Sequence, residues 1–551
     1  MKPDIFVEKL IFNDGTEVPV NPSDIVIFTG ANNAGKSQVL KDIDTILTQR
    51  TKGVVVTSMS INYVGDISEQ QDEYKQKDGK YRVLNVIFHT PENMVNAWKA
   101  QDTIFVKGFI KRLSTEQRLE TSKTAPSFNR QNDKPTHPVH HLYIDENLQE
   151  KISSLFHEAF DQFLIVNYGG GNNIPIHVGQ NPTKEAGEDR VSSGYLEKLY
   201  KIPVLQNQGD GMRSFAGILF DVFTTDKSVT MIDEPEAFLH PPQARLLGRM
   251  LVSNKQKDRQ LFISTHSEDF LKGLLDADSS NVKIIRIDRK ENVNHIKLLD
   301  NEDLKSLWKD SILRYSNILS GLFHSKVVIC ESDTDCRFYQ AVLNAICEGK
   351  RIANPDILFT YCGGKERFKV VIPALKALNV NTVVIPDIDV LNKEDTFKPI
   401  CEAMNISWDE IGAMFKEVTA YVNSQRPQLD AEEARKEILQ IFDRIKTPQM
   451  SKEDIDAVKK KLKASSAWGK VKEVGKSFFK GDPYTKLDNL LNKCKEKGLF
   501  IVPVGELESF YKPEANKHGS AWVNAVMPLD LANEKELEEA RTFVNEIAEY
   551  K

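Results

Sequence analysis

A chain of 551 residues is too long to close around one hydrophobic core, so two to four domains are expected. Hydrophobic residues make up 40% and charged ones 28%, the balance of a soluble globular protein, and a net charge of −6 leaves any nucleic-acid contact to local basic segments. The six cysteines are scattered without a CxxC pair. That spacing suits neither a zinc site nor a secreted disulfide framework and predicts reduced thiols in a cytoplasm. Met1–Phe12 carries acids and no apolar signal-peptide core, and no apolar run approaches the ~18 residues of a membrane span, so no membrane partner is expected.

In chain order, strand-like runs at Ile5–Leu10, Ile25–Thr29, Val54–Val56 and Val83–Phe88 surround one glycine-rich turn. Residues 96–190 change character: a charged helical stretch, Val95–Lys111, leads into the polar segment Thr115–His141, expected as a mobile or partner-ordered loop within an inserted subdomain. Helical spacing returns over Tyr195–Asp221, followed by strands Val229–Ile232 and Gln260–Ser264 and a closing pair of strands over 281–299. A second α/β pattern starts at Lys326, with strands at Val327–Cys330, Ile357–Tyr361 and Thr382–Pro386 separated by helices Arg337–Ile346 and Glu366–Leu378. That alternation argues for a parallel sheet. Residues 393–497 are charged and helical, Leu499–Val504 is strand-like, and a polar tail follows.

Gly30-Ala31-Asn32-Asn33-Ala34-Gly35-Lys36-Ser37 fits GxxxxGK[ST] between a strand and a helix, with Gln38 next. There the loop amides and helix N-terminus converge on phosphate, Lys36 reaches the β and γ oxygens of ATP, and Ser37 ligates Mg²⁺. An apolar strand ends in Asp233-Glu234, where Asp233 would hold Mg²⁺ and Glu234 would polarise the attacking water. Alone, such a pair reads equally as a solvated strand end. It is followed by Pro235-Glu236-Ala237-Phe238-Leu239-His240-Pro241 and by Ser264-Thr265-His266-Ser267; a lone His266 would read as structural, but as the close of this ordered set it is expected to contact the γ-phosphate.

This ordered set resembles the ABC-type ATPases of the repair and defence kind. By that resemblance Gln208–Ser214 stands where the signature loop would be, so Gly211, Arg213 and Ser214 would complete the nucleotide site of a second ATPase head. The implication is a homodimer, or a larger homo-oligomer, joined through the heads.

Two acidic clusters follow strands of the second pattern: Glu331-Ser332-Asp333-Thr334-Asp335 and Asp387-Ile388-Asp389. C-terminal ends of parallel strands share one edge, so the clusters can meet in one crevice. Five carboxylates there need cations, and oxygen ligands suit Mg²⁺ or Mn²⁺, a pair of which supports phosphodiester hydrolysis. Either cluster by itself also reads as an acidic solvent-facing loop. Lys365, in Cys362-Gly363-Gly364-Lys365, either binds phosphate or structures its turn, and Glu506 and Glu508 either complete a metal shell or serve as helix N-terminal acids. From Lys446 to Lys486 eleven lysines face five acids, with Trp468, Phe478, Phe479 and Tyr484 interleaved. This stretch, including Lys459, Lys460, Lys461 and Lys463, is either a nucleic-acid surface or a solvated helical face over core aromatics.

Together the acidic clusters resemble the TOPRIM domain of the OLD (overcoming lysogenization defect) family of endonucleases, with Ser332 where that family commonly carries glycine. The resemblance implies an α/β chain: an ABC-type ATPase domain with a helical insert, then a TOPRIM-type parallel-sheet domain with helical elements. The expected boundaries are 1–305 for the ATPase, with a helical or dimerisation insert at about 96–190, then 306–325 as linker. The TOPRIM domain takes 326–525 with a lysine-rich helical insert at about 393–497, and 526–551 form a helical tail. The implied function is an ATP-regulated, metal-dependent DNA endonuclease of anti-phage defence. In that family such a protein also occurs with a retron reverse transcriptase and its RNA-linked DNA. The rival is an ATPase sensor or scaffold whose TOPRIM domain is inactive and which controls another effector, a reading Ser332 favours. A DNA clamp of the recombination-repair type ranks last, because no sustained heptad pattern is present.

Overall fold

The computed structural model describes residues 3–550 apart from 77, 84–85, 131–134, 226, 278–279, 300–317, 426–430, 446, 448, 464–466 and 515–516, and apart from the side chains of 431, 433 and 460–463. The chain divides into two compact units, Met1–Asp310 and Ser311–Lys551.

The first unit is built on a six-stranded sheet. Its elements in chain order are β1 (Asp4–Phe12), β2 (Ile25–Thr29), α1 (Lys36–Gln49), β3 (Val56–Val64), β4 (Ile110–Leu113), α2 (Thr115–Thr121), α3 (Asp210–Thr224), β5 (Val229–Asp233), α4 (Pro241–Asn254), β6 (Gln260–Ser264), α5 (Glu268–Asp276), β7 (Val282–Lys290) and β8 (Val293–Leu298). The sheet order is β8-β7-β2-β6-β5-β4, parallel except for the β7–β8 pair. Every residue of β2 and β6 is buried, as a parallel strand covered on both faces requires. Because β2, β6 and β5 are neighbours, the chain leaves all three at one edge of the sheet. A three-stranded antiparallel sheet of Glu17–Pro19, β1 and β3 packs on the same core as α1, whose Val39, Leu40, Ile43 and Leu47 are buried. The Asp42 carboxylate fixes α1 to the start of β3 by accepting the amides of Val54, Val55 and Val56 at 3.0, 2.6 and 3.1 Å.

Residues 96–190 differ from the expected helical insert. Helices Pro91–Lys99 and Glu146–Phe160 are present, but Ile110–Leu113 is the outer strand of the main sheet, and Phe163–Val166 pairs antiparallel with Ile176–Gly179. The Ile-Lys-Arg-Leu run is too short to declare its period, so its pairing with β5 decides the conformation. The expected loop Thr115–His141 is corrected as well: it contains α2 and opens the helix Pro138–Ile144. Polar residues at the starts of these two helices cap them. Ser114 accepts the Gln117 amide at 3.3 Å, and the Gln117 side chain accepts the Ser114 amide at 2.9 Å.

The second unit carries β9 (Lys326–Cys330), α6 (Asp333–Lys350), β10 (Ile357–Tyr361), α7 (Phe368–Ala377), β11 (Thr382–Ile385), α8 (Ala467–Val474), α9 (Asp482–Lys495) and α10 (Glu538–Glu549). Its sheet is parallel in the order β10-β9-β11. Leu499–Val504, expected as a strand, runs beside β11 with a single bridge, Leu499 to Val384, and with the amides of Phe500 and Val502 on the carbonyls of Val384 and Pro386. Pro386 and Pro503 each lack an N–H, which keeps the ladder from closing into a full strand. The C-terminal residues are part of the core: Leu537, Ala540, Phe543, Val544 and Ile547 pack with Phe338, Tyr339 and Trp522. Lys326 Nζ donates to the carbonyls of Ile547 and Ala548, both at 2.9 Å, and so caps α10. Of the expected linker 306–325, residues up to 317 lie outside the described ones, and Leu319 and Leu322 are buried.

Helices α4 and α5 touch backbone to backbone. A Cβ on Gly273 would lie 1.9 Å from the Arg245 carbonyl oxygen, whereas one on Gly108 would meet nothing within 4 Å. Gly273→Ala is therefore expected to destabilise by about 2 kcal/mol or more, and Gly108→Ala to stay within about 0.5 kcal/mol, measured by urea denaturation.

Candidate functional site

At the end of β2 the chain turns through Gly30–Gly35 into α1. Gly30 has φ 142°, and a Cβ there would lie 2.1 Å from the Ile287 carbonyl oxygen, so only glycine lets the loop start against β7. Asn32 and Asn33 are exposed, Ala34 is buried, and Ser37 sits half-buried in the first turn of α1. Lys36 Nζ donates to the carbonyls of Gly30 and Ala31, both at 2.8 Å, so the ammonium already spans the loop that would cradle phosphate. Gln38 turns down its own helix to Asp42 at 2.8 Å. Asn294 of β8 donates to the Ala34 carbonyl at 2.6 Å and is itself held by Asn13, a support the sequence does not advertise.

The ends of β5 and β6 bring the other expected groups beside this loop. The Ser264 hydroxyl donates to Asp233 Oδ1, and His266 Nε2 pairs with Glu234 Oε1 at 3.1 Å. Burial lowers the His266 pKa, the nearby Lys36 ammonium lowers it further, and Glu234 and Asp233 oppose both. Two residues given no role from sequence complete the arrangement. Glu236 Oε1 accepts the His266 amide at 2.7 Å and the Thr265 hydroxyl at 2.9 Å, and burial raises its pKa. Arg118, fully buried, donates to the carbonyls of Asp233 and Glu234. Glu236 was visible as the third acid of the Asp-Glu-Pro-Glu run, but Arg118 lay in a segment without periodicity.

The expected signature residues open α3. Gly209 and Asp210 are exposed, and a Cβ on Gly211 would lie 2.7 Å from the Phe238 carbonyl oxygen. Arg213 pairs with Asp210 at 2.9 Å. Ser214 is buried and accepts from Arg118 Nε at 3.0 Å, so its hydroxyl faces inward to the guanidinium.

In the second unit the ends of β9 and β11 bring Glu331, Asp387 and Asp389 together, with one oxygen of each within 4.8 Å of the others. The Asp387 amide donates to Glu331 Oε1 at 3.1 Å, and the amides of Gly363 and Gly364 donate to the Glu331 carbonyl at 3.2 and 2.9 Å. Lys365 pairs with Asp389 Oδ2 at 2.7 Å, while Asp389 Oδ1 is buried without a hydrogen-bond partner. Glu506, Glu508 and His518 form a second group by the same criterion, His518 being a member sequence reading missed. Between the groups lies Lys472, whose Nζ pairs with Asp387 at 3.1 Å and with Glu506 at 3.4 Å. The clustered acids, one of whose oxygens has no hydrogen-bond partner, are oxygen ligands of the kind hard divalent cations take.

Asp333 and Asp335 are not brought into either group. Asp333 pairs with Arg337 along α6 at 2.6 Å, and Asp335 accepts the Ser332 amide at 2.9 Å as part of the helix cap. Asp335 is raised in pKa by burial, with the charge of Glu508 adding to it. Ser332, at φ −131° and ψ 164°, is extended backbone that any residue adopts, and its hydroxyl accepts the Asp335 amide. The position therefore has no need of glycine. The lysine-rich stretch divides: Trp468 and Phe479 are core residues, Tyr484 is exposed, and Lys459 is an exposed partner of Asp456. The side chains of Lys460, Lys461 and Lys463 lie outside the described residues.

Burial pushes the Glu331 carboxyl up from 4.5 to about 7; Asp389 adds to this, and the Asp387 amide, Lys365 and Lys472 oppose it. A carboxyl raised on folding contributes stability that is present below about 4.5 and lost as pH rises through about 7. The thermal midpoint of metal-free protein should therefore fall more steeply over this window in wild type than in Glu331→Gln, and Mg²⁺ should restore it in wild type alone. Equal slopes in the two proteins would contradict this assignment.

Comparison with known proteins matches the AAA_21 family (AAA domain, AbiEii toxin, Type IV TA system) over residues 108–271, and the Overcoming lysogenization defect protein-like TOPRIM domain over 322–389. The chain is 22% identical over 303 residues to the Old nuclease of Escherichia phage P2, covering 52% of this chain and 50% of that protein. It is 29% identical over 176 residues to the OLD nuclease of Thermus scotoductus (strain ATCC 700910 / SA-01), covering 29% of this chain and 30% of that one. The match thus spans half the length or less of these relatives. Among solved structures, the SMC head domain from Thermotoga maritima is 10% identical with a TM-score of 0.29, covering 54% of this chain and 100% of that one. No helix among the described residues is long and apolar enough to cross a membrane. The chain thus carries a region matching an AAA ATPase domain followed by one matching an OLD-like TOPRIM domain, and its curated relatives are OLD nucleases.

Proposed function

We propose that the protein is an ATP-hydrolysing, divalent-metal-dependent DNA endonuclease. The observation that carries this reading is the convergence of Glu331, Asp387 and Asp389, with Asp389 Oδ1 left without a partner, beside Glu506 and Glu508. Glu331, Asp387 and Asp389 would hold one Mg²⁺ or Mn²⁺ ion, and Glu506, Glu508 and His518 a second. Such ions supply an activated water and a stabilised leaving oxygen for phosphodiester hydrolysis. The protein's own part is orientation. The glycine amides of 363 and 364 hold Glu331 by its carbonyl, Lys365 holds Asp389, and Lys472 neutralises the group until phosphate and cation replace it.

In the first unit Lys36 would exchange its loop carbonyls for the phosphates of ATP, Ser37 and Asp233 would hold Mg²⁺, and Glu234 would orient water with His266 beside it. The exposed Gly209 and Asp210 support docking of a second ATPase head, making a homodimer with shared nucleotide sites. ATP would regulate cutting through that dimer. The roles in anti-phage defence and beside a reverse transcriptase with RNA-linked DNA are supported by the family resemblance. The rival reading, a scaffold with an inactive TOPRIM domain, drew on Ser332, and the extended backbone there, open to any residue, supports the active reading over it.

The test is cleavage of supercoiled plasmid and single-stranded DNA with Mg²⁺ or Mn²⁺, with and without ATP. Glu331→Ala should lose cutting and keep ATP turnover, and Lys36→Ala should lose ATP turnover by about 100-fold or more. Equal cutting by wild type and Glu331→Ala overturns the nuclease assignment. Glu234→Gln with bound ATP should dimerise in light scattering, and a monomer there contradicts the shared-site arrangement.

A further inference from the structure

Arg118 makes four hydrogen bonds to three different pieces of the ATPase unit while being fully buried. Its Nε donates to Ser214 Oγ at 3.0 Å, Nη1 to the Asp233 carbonyl at 2.6 Å, and Nη2 to the Glu234 carbonyl at 3.0 Å and to Thr115 Oγ1 at 3.2 Å. Ser214 belongs to the signature helix α3, and Asp233 and Glu234 carry the carboxylates assigned to the reaction. Glu234 has φ 47°, a left-handed conformation that side-chain-bearing residues rarely adopt, so its backbone needs external support. That support comes from Arg118 on its carbonyl and from the Ser264 carbonyl, which accepts its amide at 3.0 Å. Helices α2 and α3 also touch directly, since a Cβ on Gly217 would lie 2.3 Å from the Arg118 carbonyl oxygen. A shift of α3 therefore carries α2 and the guanidinium with it. Only a planar fork with donors on both sides reaches all three pieces at once, which a lysine ammonium cannot do.

We propose that Arg118 is a positioning residue of the ATPase reaction, transmitting the placement of the signature helix to the backbone of Asp233 and Glu234. Through it, engagement of the signature segment by a second head sets the orientation of the Glu234 carboxylate against water. The inference rests on the ATPase reading above and goes beyond it by naming the internal link between the two motifs.

The experiment is a double-mutant cycle on the full chain with Arg118→Lys, Ser214→Ala and the combination. It reads kcat and KM for ATP, equilibrium ATP binding, and the thermal midpoint as a check of folding. Arg118→Lys and Ser214→Ala should each lower kcat about tenfold with ATP affinity held within about twofold, and the double variant should be no slower than Arg118→Lys. Wild-type kcat in Arg118→Lys, multiplying effects in the double variant, or ATP affinity lost in step with kcat overturns the inference. Where Arg118→Lys fails to fold, Thr115→Ala and Ser214→Ala each remove one acceptor and no charge. Lowered kcat at unchanged KM in both supports the link, and wild-type kcat in both overturns it. A wild-type chain that turns over no ATP overturns the underlying reading, whereas normal turnover with unaffected variants overturns this inference alone.

Discussion

Carboxylates gathered at the C-terminal edge of a parallel sheet repel one another, and each must be matched by a cation or a hydrogen-bond donor to remain buried. Both units of this chain are arranged around that constraint. In the first, Asp233, Glu234 and Glu236 lie at the end of the single strand β5 and just beyond it, and Arg118 brings positive charge to them from the short helix α2, while Lys36 brings it to the neighbouring His266. Burial draws the Arg118 pKa down to about 10 while Glu236, Asp233 and Glu234 hold it up. In the second, Lys365 pairs with Asp389, and Lys472 pairs with both Asp387 and Glu506.

The two balances differ in kind. Arg118 is locked by four hydrogen bonds and has no exposed surface, so its charge is a fixed part of the fold. Lys472 reaches its acids as a point charge on a flexible stem, and it leaves Asp389 Oδ1 without a partner. A fixed cation suits a group that must hold its geometry through a catalytic cycle. A replaceable one suits a group whose ligands are divalent ions and phosphate.

Much of this was legible in the sequence because it is written locally. In the first unit the Gly30–Ser37 loop, Asp233-Glu234 and His266, and in the second Glu331 and Asp387-Ile388-Asp389, each follow an apolar strand, and parallel pairing within each unit brings its own set together. The strands Ile25–Thr29, Gln260–Ser264 and Ile357–Tyr361 fall where their apolar runs place them. What was not legible depends on distant pairing. Ile110–Leu113 is a strand because β5 lies beside it, and Arg118 and Lys472 become site residues because α2 and α8 pack near strands more than 80 residues away in the chain. His518 joins Glu508 through a turn in which the Gly519 amide donates to the same carboxylate at 2.7 Å. Asp333 shows the converse: its spacing matched the cluster, but the helix that starts at it turns the side chain to Arg337.

The acids at the ends of β9 and β11 would form a divalent-ion site independent of nucleotide. Electron paramagnetic resonance of Mn²⁺ titrated into nucleotide-free protein tests it most directly, with wild type, Lys36→Ala and Asp387→Ala side by side. Saturable binding is expected in wild type, unchanged in Lys36→Ala and smaller in Asp387→Ala by the ion that Glu331, Asp387 and Asp389 would hold. Absence of binding in wild type, or an unchanged signal in Asp387→Ala, would contradict it.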